Sequence, residues 1–249
     1  MRIPPPVGLV TGGARGIGLA IARLWAERGA SIAVVDRDPA GERAVKAASG
    51  GAPVAYYEAD VRDHARALEV VADAASRLGG LDYVALNAGV TRDRVSWKMS
   101  EEEWDEVIGV NLKGAFNYVR AAAPILRARK SGAIVFVSSI NGLRGKFGQS
   151  NYAASKAALI GLARSLALEL GPSGVTVNVV APGMVRTDMT ADLPGEALER
   201  ARAESPLRRI AEPEDVARAV CFLCGPEARH VTGAVLRVDG GQAMACESA

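Results

Sequence analysis

The sequence contains few residues of the types that metal centres and disulfide frameworks need. Its 249 residues include three cysteines and two histidines. An odd number of cysteines at irregular positions is typical of reduced thiols in the cytoplasm. Cys221 and Cys224 form a C-x-x-C pattern, but no second pair of cysteines or histidines is spaced to complete a tetrahedral metal site. We therefore expect no metal, and we interpret these two cysteines as small buried hydrophobic residues.

The sequence also lacks a charge excess and long apolar runs. Thirty Lys and Arg residues against 28 Asp and Glu give a net charge of +2, which does not favour a nucleic acid or an anionic membrane as partner. No apolar run approaches the roughly 20 residues that span a bilayer. The first residues, MRIPPPV, contain three prolines where a signal peptide would need an apolar run. With 49% hydrophobic and 23% charged residues, the composition predicts a globular, cytoplasmic protein.

Short apolar runs alternate with helical patterns along almost the whole chain. This alternation predicts a parallel sheet that is covered by helices on both faces. The predicted strands are Val7–Thr11, Ser31–Asp36, Val54–Glu58, Asp82–Leu86, Ala133–Ser138, Val175–Val180 and Ala234–Val238. The predicted helices are Gly16–Arg28, Pro39–Ala48, Asp63–Leu78, Glu101–Arg129, Tyr152–Leu170 and Pro213–Cys224.

One stretch of the chain fits neither a strand nor a buried helix. Residues 183–211 contain two prolines and many charges. Because we find no internal repeat and no linker, we predict a single domain over residues 1–249. Residues 183–211 would form a lid that orders when ligands bind.

A glycine-rich turn follows the first predicted strand. The sequence TGGARGIG, residues 11–18, leads directly into a helix. Glycines at such a turn let the backbone approach a pyrophosphate, and the start of the helix supplies amide donors. The spacing departs from G-x-G-x-x-G, and glycine-rich turns also serve backbone geometry alone. The turn therefore needs support from elsewhere in the chain.

The second predicted strand supplies that support, because it ends on a carboxylate. Asp36 lies where an acid can accept from both hydroxyls of an adenosine ribose. The alternative is that Asp36 caps the helix predicted from Pro39. Asp60 follows the third strand and Asn87 the fourth, again at carboxyl ends, where sheets of this kind bind their ligands.

A tyrosine and a lysine occur four positions apart at the start of the fifth helix. Tyr152 and Lys156 share one helix face. A nearby ammonium favours the phenolate, so we expect Lys156 to lower the pKa of Tyr152 from its usual value of about 10. Ser139 lies at the end of the preceding strand, directly after Ser138, and could hydrogen-bond a substrate carbonyl. Alternatively, the tyrosine and lysine are only neighbours on the surface.

The chain resembles the short-chain dehydrogenase/reductase family along nearly its whole length. The resemblance rests on TGGARGIG, Asp60-Val61, NAG at 87–89, Asn111 in NLKGAF, Ser139, YAASK at 152–156, and Pro182-Gly183 followed by Thr187. It implies an α/β doubly wound Rossmann fold with seven parallel strands, a nicotinamide cofactor, and a dimer or homotetramer, of which we expect the homotetramer.

The resemblance also implies roles for individual residues. Tyr152 is the proton donor and acceptor, Lys156 lowers its pKa and holds the nicotinamide ribose, and Ser139 positions the carbonyl. Asn111 holds a water that links Lys156 to solvent. The implied cofactor-binding residues, with Tyr152 and Lys156, are Gly12, Arg15, Gly16, Ile17, Gly18, Asp36, Arg37, Asp60, Val61, Asn87, Ala88, Gly89, Pro182, Gly183, Val185 and Thr187.

The same residues predict which nicotinamide cofactor binds. The carboxylate of Asp36 would repel the 2′-phosphate of NADP, so we expect NAD(H). Arg15 and Arg37 lie at positions where phosphate-preferring relatives carry basic residues, and they keep NADP(H) open as an alternative.

Three segments around the site resemble reductases of 3-oxoacyl thioesters. They are residues 89–93, 141–149 and 186–189. We predict reduction of 3-oxoacyl to 3-hydroxyacyl thioesters, a reaction of fatty acid metabolism, with Gln149 donating to the thioester carbonyl and with Arg144 and Lys146 near the phosphates.

Two features weaken that prediction. Lys130 and Ser173 stand where relatives that dock a carrier protein tend to have arginines, which favours CoA thioesters over carrier-bound ones. Reductases of this kind also mostly use NADPH, whereas Asp36 indicates NADH. Dehydrogenases of polyols, sugars or secondary alcohols therefore remain the alternative. A regulator without activity and an epimerase or dehydratase are disfavoured, the first by the intact Ser139, Tyr152 and Lys156.

Overall fold

The computed structural model describes residues 5–191 and 193–244, and it contains a parallel sheet of seven strands. The strands are β1 (Val7–Thr11), β2 (Ser31–Asp36), β3 (Val54–Glu58), β4 (Tyr83–Leu86), β5 (Gly132–Val137), β6 (Val175–Pro182) and β7 (Val235–Val238). The helices are α1 (Gly16–Glu27), α2 (Gly41–Ala48), α3 (His64–Leu78), α4 (Glu101–Ile108), α5 (Ala115–Arg129), α6 (Asn141–Arg144), α7 (Ser150–Leu170), α8 (Asp188–Ala191), α9 (Gly195–Glu204) and α10 (Pro213–Cys224).

The strand order is β3-β2-β1-β4-β5-β6-β7, and every neighbouring pair is parallel. Apolar, β-branched residues dominate the central strands, which are buried on both faces: all five residues of β1 are buried. The order reverses between β1 and β4, which is the point where open sheets of this kind bind ligands. The predicted doubly wound α/β fold is confirmed.

Two apolar layers hold the helices to the sheet. On one face, α3, α5 and α7 contribute Val70, Tyr118 and Leu159 to a buried cluster. On the other face, Trp25 of α1 and Val220 of α10 belong to a second cluster. Because each layer buries its side chains almost completely, the sheet is a rigid base for the segments at its carboxyl edge.

The prediction of one continuous helix over 101–129 is wrong in its middle. The stretch is helical from end to end, but residues Gly109–Gly114 form a π-helical segment between α4 and α5. A π-helical turn inserts one extra residue per turn, and such turns are frequent at functional sites. The segment contains Asn111, whose side chain is buried.

Residues 183–211 have more regular structure than the sequence indicated. The stretch contains α8 and α9, whose side chains are largely exposed, with Ala201 the one buried residue of α9. A charged helix without an apolar face gives no periodic signal, which is why the pattern missed it. Residue 192 lies outside the described residues.

Among the described residues, no helix is both long and apolar enough to cross a bilayer.

Candidate active site

A cavity of about 840 Å³ lies at the carboxyl edge of the sheet. Its lining includes residues that follow β1, β2, β3, β4, β5 and β6, because parallel strands end at the same edge. All the site residues predicted from the sequence line it except Gly18 and Asn111. The structure therefore brings the two predicted halves of the site, the glycine turn and the Tyr152–Lys156 pair, into one space.

The turn after β1 depends on its glycines. Gly12 and Gly16 have φ values of +64° and +52°, which L side chains rarely adopt. A Cβ added at Gly18 would collide with the carbonyl oxygen of Gly12, so the helix could not approach the strand. Arg15 makes no side-chain cap at the start of α1, which leaves amide donors of the first turn available to an anion.

Asp36 lies beside this turn at the end of β2. One carboxylate oxygen accepts from the backbone N–H of Ala14 at 3.0 Å, and the other accepts from the N–H of Asp38 at 3.1 Å. The alternative interpretation as a helix cap is wrong, because α2 begins at Gly41 after Ala40. Each oxygen keeps a lone pair that can face the cavity.

Asp60, the acidic residue after β3, accepts hydrogen bonds from Arg62, which was not among the predicted site residues. Arg62 donates to Asp60 from Nη2 at 2.6 Å and from its backbone N–H at 2.9 Å. These hydrogen bonds lower the pKa of Asp60, and the positive charge of Arg37 adds to the effect. Asp60 is therefore ionised, and together with Val61 it lines the cavity.

The π-helical segment directs Asn111 towards the strand that ends in NAG. Its Oδ1 accepts from the N–H of Val90 at 2.8 Å, and its Nδ2 donates to the carbonyl of Val90 at 3.0 Å and to Oγ of Ser155 at 3.0 Å. Ser155 in turn donates to the carbonyl of Tyr152 at 2.7 Å. Asn111 thus joins the segment after β4 to the second turn of α7.

Lys156 is 4% exposed, so the interpretation of a surface pair is wrong. Its Nζ donates to the carbonyl of Val137 at 2.8 Å and lies 5.6 Å from the centre of the Tyr152 ring. Burial lowers the pKa of Lys156 to about 8, because an apolar environment disfavours the ammonium. A Cβ at Gly89 would lie 3.3 Å from this Nζ and 3.4 Å from Oδ1 of Asn111, so both polar atoms face the same small space.

The sequence predicts a pKa of Tyr152 below its usual value, and the structure has it above that value. Burial raises the pKa of Tyr152 to about 12, and the negative charge of Asp93 raises it further, whereas the hydrogen bond with Ser139 lowers it. The phenol is therefore protonated at neutral pH. A protonated phenol beside a serine hydroxyl can donate a proton to a carbonyl oxygen.

Two predicted substrate contacts have other partners in the structure. Gln149 was predicted to donate to a thioester carbonyl, but its Nε2 donates to Oδ2 of Asp93 at 2.7 Å. Arg144 was predicted to face the phosphates, but its Nη2 lies 3.3 Å from Oε2 of Glu204 on α9. Hydrogen bonds to a carboxylate are strong, so the Gln149 amide binds Asp93 and the Arg144 guanidinium pairs with Glu204. Both side chains are therefore held by the protein and not directed at a ligand.

Several polar residues of the site were missed in the sequence. Thr11 accepts with Oγ1 from the N–H groups of Asn87 and Ala88. Ser138 donates to the carbonyl of Lys156 at 2.7 Å. Thr11 precedes Gly12 and Ser138 precedes Ser139, so both lie at strand ends next to predicted site residues. This position is the one feature of the sequence that could have indicated them. Gln242, which donates to Glu204 at 2.9 Å, comes from the far end of the chain and gave no signal.

Cys221 and Cys224 are buried in the apolar layer beside α10, as predicted. Burial raises the pKa of Cys221 to about 11, so its thiol is unreactive at neutral pH. Within residues 5–191 and 193–244, no group of three or more His, Cys, Asp or Glu side chains is arranged to hold a metal ion.

The site has the parts that a dinucleotide needs. The glycine turn and the free amides of α1 suit a pyrophosphate, and Asp36 suits a ribose diol. At the other end of the cavity, Tyr152 and Ser139 can protonate and orient a carbonyl, with the Lys156 ammonium beside them.

Comparison with known proteins agrees with this geometry. The model of the enoyl-(acyl carrier protein) reductase family matches residues 12–243. The chain is 42% identical over 243 residues to the 3-oxoacyl-[acyl-carrier-protein] reductase FabG of Thermotoga maritima, covering 97% of this chain and 99% of the relative. It is 42% identical over 239 residues to the FabG of Chlamydia muridarum, covering 94% and 96%.

Solved structures share the whole fold. Levodione reductase superposes with a TM-score of 0.93 at 34% identity, covering 98% of this chain and 99% of that one. A short-chain dehydrogenase/reductase of Brucella melitensis, titled glucose/ribitol dehydrogenase, superposes with a TM-score of 0.90 at 32% identity, covering 96% and 97%.

The buried lysine predicts a gain in stability when its charge is removed. The pKa of Lys156 falls from 10.5 to about 8 on folding, so below pH 8 the folded state carries the full cost of the buried ammonium. We expect Lys156→Met to raise the free energy of unfolding at pH 7 by about 1–3 kcal/mol, allowing for the lost hydrogen bond to Val137. The difference should disappear as the pH rises from 8 towards 10.5.

Chemical denaturation at several pH values measures this difference, with exposed Lys98→Met as the matched control. A Lys156→Met variant that is less stable than the wild type at pH 7 would contradict the account.

Proposed function

The chain belongs to the short-chain dehydrogenase/reductase family, and we propose that it reduces 3-oxoacyl thioesters to 3-hydroxyacyl thioesters with NADH. As a member of this family it is an oxidoreductase that uses a nicotinamide cofactor and acts on carbonyl and CH–OH groups. The observation that carries the substrate class is the 42% identity to a 3-oxoacyl-[acyl-carrier-protein] reductase over 97% of the chain. Oxidation of the 3-hydroxyacyl product by NAD⁺ is the reverse reaction.

The chemistry requires a hydride, a proton and a fixed carbonyl. The hydride to carbon 3 would come from a nicotinamide held in the cavity. Tyr152 donates its phenolic proton to the carbonyl oxygen, and its high pKa favours this direction, since the proton is present at neutral pH. Ser139 donates a hydrogen bond to the same oxygen and holds it in place.

Lys156 and Asn111 return the proton to Tyr152. Their polar atoms face the same space beside Gly89, which supports the role that the family implies for Asn111, namely holding a water that connects the lysine to solvent. The ammonium also stabilises the negative charge left on Tyr152 after proton transfer. Lys156 would bind the nicotinamide ribose with the same group.

The remaining cofactor contacts follow the cavity lining. We assign the pyrophosphate to the turn from Gly12 to Gly18, with Arg15 and Ile17 at its rim. Asp60 and Val61 hold the adenine, and Asn87, Ala88 and Gly89 line the ribose side. At the nicotinamide end, the assigned residues are Pro182, Gly183, Val185 and Thr187.

A second candidate function is the oxidation of a polyol, a sugar or another secondary alcohol by NAD⁺. It is favoured by Asp36, because acidic residues at this position suit NAD, and by the fold likeness to the protein titled glucose/ribitol dehydrogenase. A homotetramer and a cytoplasmic location also remain predictions.

The substrate prediction is tested with purified protein. We expect turnover of acetoacetyl-CoA and of a 3-oxoacyl group on acyl carrier protein with NADH. Comparing the two substrates shows which of the two thioester carriers the enzyme prefers.

Tyr152→Phe should lower turnover by about 10²–10⁴-fold with little change in NADH affinity, because it removes the proton donor and keeps the ring. Tyr83→Phe, at the opposite end of β4, is the matched control. Turnover confined to a polyol panel with NAD⁺ would reverse the order of the two candidates.

The cofactor prediction is that kcat/KM is higher for NADH than for NADPH. A 2′-phosphate about 4 Å from the Asp36 carboxylate would be repelled by about 4 kcal/mol at an effective dielectric constant of 20. Asp36→Ala should shift the ratio towards NADPH, with Arg15 and Arg37 near the phosphate, whereas the control Asp38→Asn should not. A wild-type ratio that favours NADPH would contradict the assignment of Asp36.

We propose residues 183–211 as the lid of a single domain. Helix α9 contacts the rest of the site through Glu204, which accepts from Gln242 and Arg144. With so little apolar burial, this segment should open easily. Hydrogen exchange of its amides should slow in the complex with cofactor and substrate, whereas peptides of α10 should not change. Equal hydrogen-exchange rates of these amides with and without ligands would contradict the prediction of a lid.

A further inference from the structure

Two segments beside Ser139 and Tyr152 are bound to each other along their lengths. The first follows β4 and contains residues 90–95, and the second joins β5 to α7 and contains residues 139–149. The N–H of Arg94 donates to the carbonyl of Gly148 at 2.7 Å. Asn151, in the first turn of α7, donates to the carbonyl of Arg92 at 3.0 Å. The position of the first segment therefore fixes the position of the second.

A row of side-chain hydrogen bonds runs across this junction and ends on one carboxylate. Asn141 donates from Nδ2 to Oε1 of Gln149 at 3.0 Å, and Gln149 donates from Nε2 to Oδ2 of Asp93 at 2.7 Å. Thr91 donates to the other oxygen of Asp93. At the opposite end of the row, the N–H of Asn141 donates to Oγ of Ser139 at 3.1 Å.

We propose that Asp93 is a positioning residue of the reaction: through Gln149 and Asn141 it holds the Ser139 hydroxyl in place for the substrate carbonyl beside Tyr152. This inference rests on the proposed function, since it assigns Asp93 to the same carbonyl reduction. Asp93 does not touch the reacting atoms, and it acts through the residues between them.

Gln149 is better suited to this link than to substrate binding. Its side chain is 7% exposed, and both ends of its amide are occupied, so rotating it towards a substrate would break two hydrogen bonds. The bond to Asp93 is the stronger of the two, because its acceptor is ionised. The carboxylate therefore determines which way the amide faces, and the amide oxygen is left to hold Asn141.

The direction of these bonds explains how the Ser139 hydroxyl is aimed. Its oxygen accepts from the N–H of Asn141, so its hydrogen is directed elsewhere. With that acceptance fixed, the one hydroxyl hydrogen of Ser139 is available for the carbonyl oxygen of a substrate beside Tyr152. Displacement of Asn141 would release the serine and weaken this donor.

The charge of Asp93 has a second effect on the same site. Together with burial it raises the pKa of Tyr152, so it favours the protonated phenol that reduction needs. Other charged groups surround the cavity near the tyrosine, and they stay the same when Asp93 alone is replaced. They are Lys156 on α7, Arg92 beside Asp93, Arg144 and Lys146 before α7, and Glu196, Arg200 and Glu204 on α9.

Three variants separate the hydrogen bond from the charge. Asp93→Asn can still accept from Gln149 but has no charge, Gln149→Leu breaks the row but leaves the charge, and Asp93→Ala removes both. Asp105→Asn, an exposed acid on α4, is the matched control. Each is measured for NADH affinity, for kcat and KM with acetoacetyl-CoA or the best substrate found, and for the pH dependence of kcat.

We expect Asp93→Ala and Gln149→Leu to lower kcat by about 10- to 100-fold with a smaller change in KM, because the reacting groups lose their alignment. Asp93→Asn should retain most of kcat, and the alkaline limb of its pH profile should move to lower pH. NADH affinity should be unchanged in all three. If Asp93→Ala does not fold, Asp93→Asn and Gln149→Leu still carry the test.

The proposal is overturned if the kcat and pH profile of these variants match those of Asp105→Asn. It is also overturned if Gln149→Leu raises KM at unchanged kcat, which is the result expected of a direct substrate contact. Failure of the proposed function is a separate result, because then the wild type itself would turn over no carbonyl substrate with NADH.

Discussion

The parallel direction of all seven strands is the constraint on which the site depends. It collects the carboxyl ends of β1 to β6 at one edge of the sheet. The glycine turn, Asp36, Asn87, Ser139 and Gly183 are far apart in sequence, and each lies at or just after the end of one of these strands. The two apolar layers hold the strands rigid, so the segments that follow them need few contacts of their own to keep their places.

Several features of the site cost stability. The ammonium of Lys156 is buried, and the glycines at positions 12 and 16 lose more conformational entropy on folding than other residues would. The π-helical segment interrupts an otherwise regular helix so that Asn111 can reach Val90. Each of these features occurs where a ligand or a reacting group would lie, which is where strain is ordinarily found in enzymes.

The sequence was sufficient to predict the strands and the positions of the main site residues. Runs such as IAVVD in β2 are rich in β-branched residues, and motifs at strand ends need no knowledge of distant contacts. Apolar periodicity, in contrast, does not encode a π-helical turn, so the segment at Asn111 was missed. It also cannot detect α9, whose charged residues bury almost nothing.

The partners of individual side chains were the least predictable part of the site. Gln149 binds Asp93, and Arg144 contacts Glu204, and in both pairs the partner comes from a distant segment. The pKa of Tyr152 was predicted in the wrong direction because burial, which the sequence does not give, raises it.

The central claim is that this cavity transfers a hydride from a nicotinamide to carbon 3 of an acyl thioester while the chain supplies the proton. The most direct test uses NADH that carries deuterium at the transferable position, with acetoacetyl-CoA as substrate. The account predicts that the 3-hydroxybutyryl product carries one deuterium at carbon 3, and that the hydroxyl proton comes from solvent. Consumption of NADH without deuterium in the product, or no reaction with any 3-oxoacyl thioester, would contradict it.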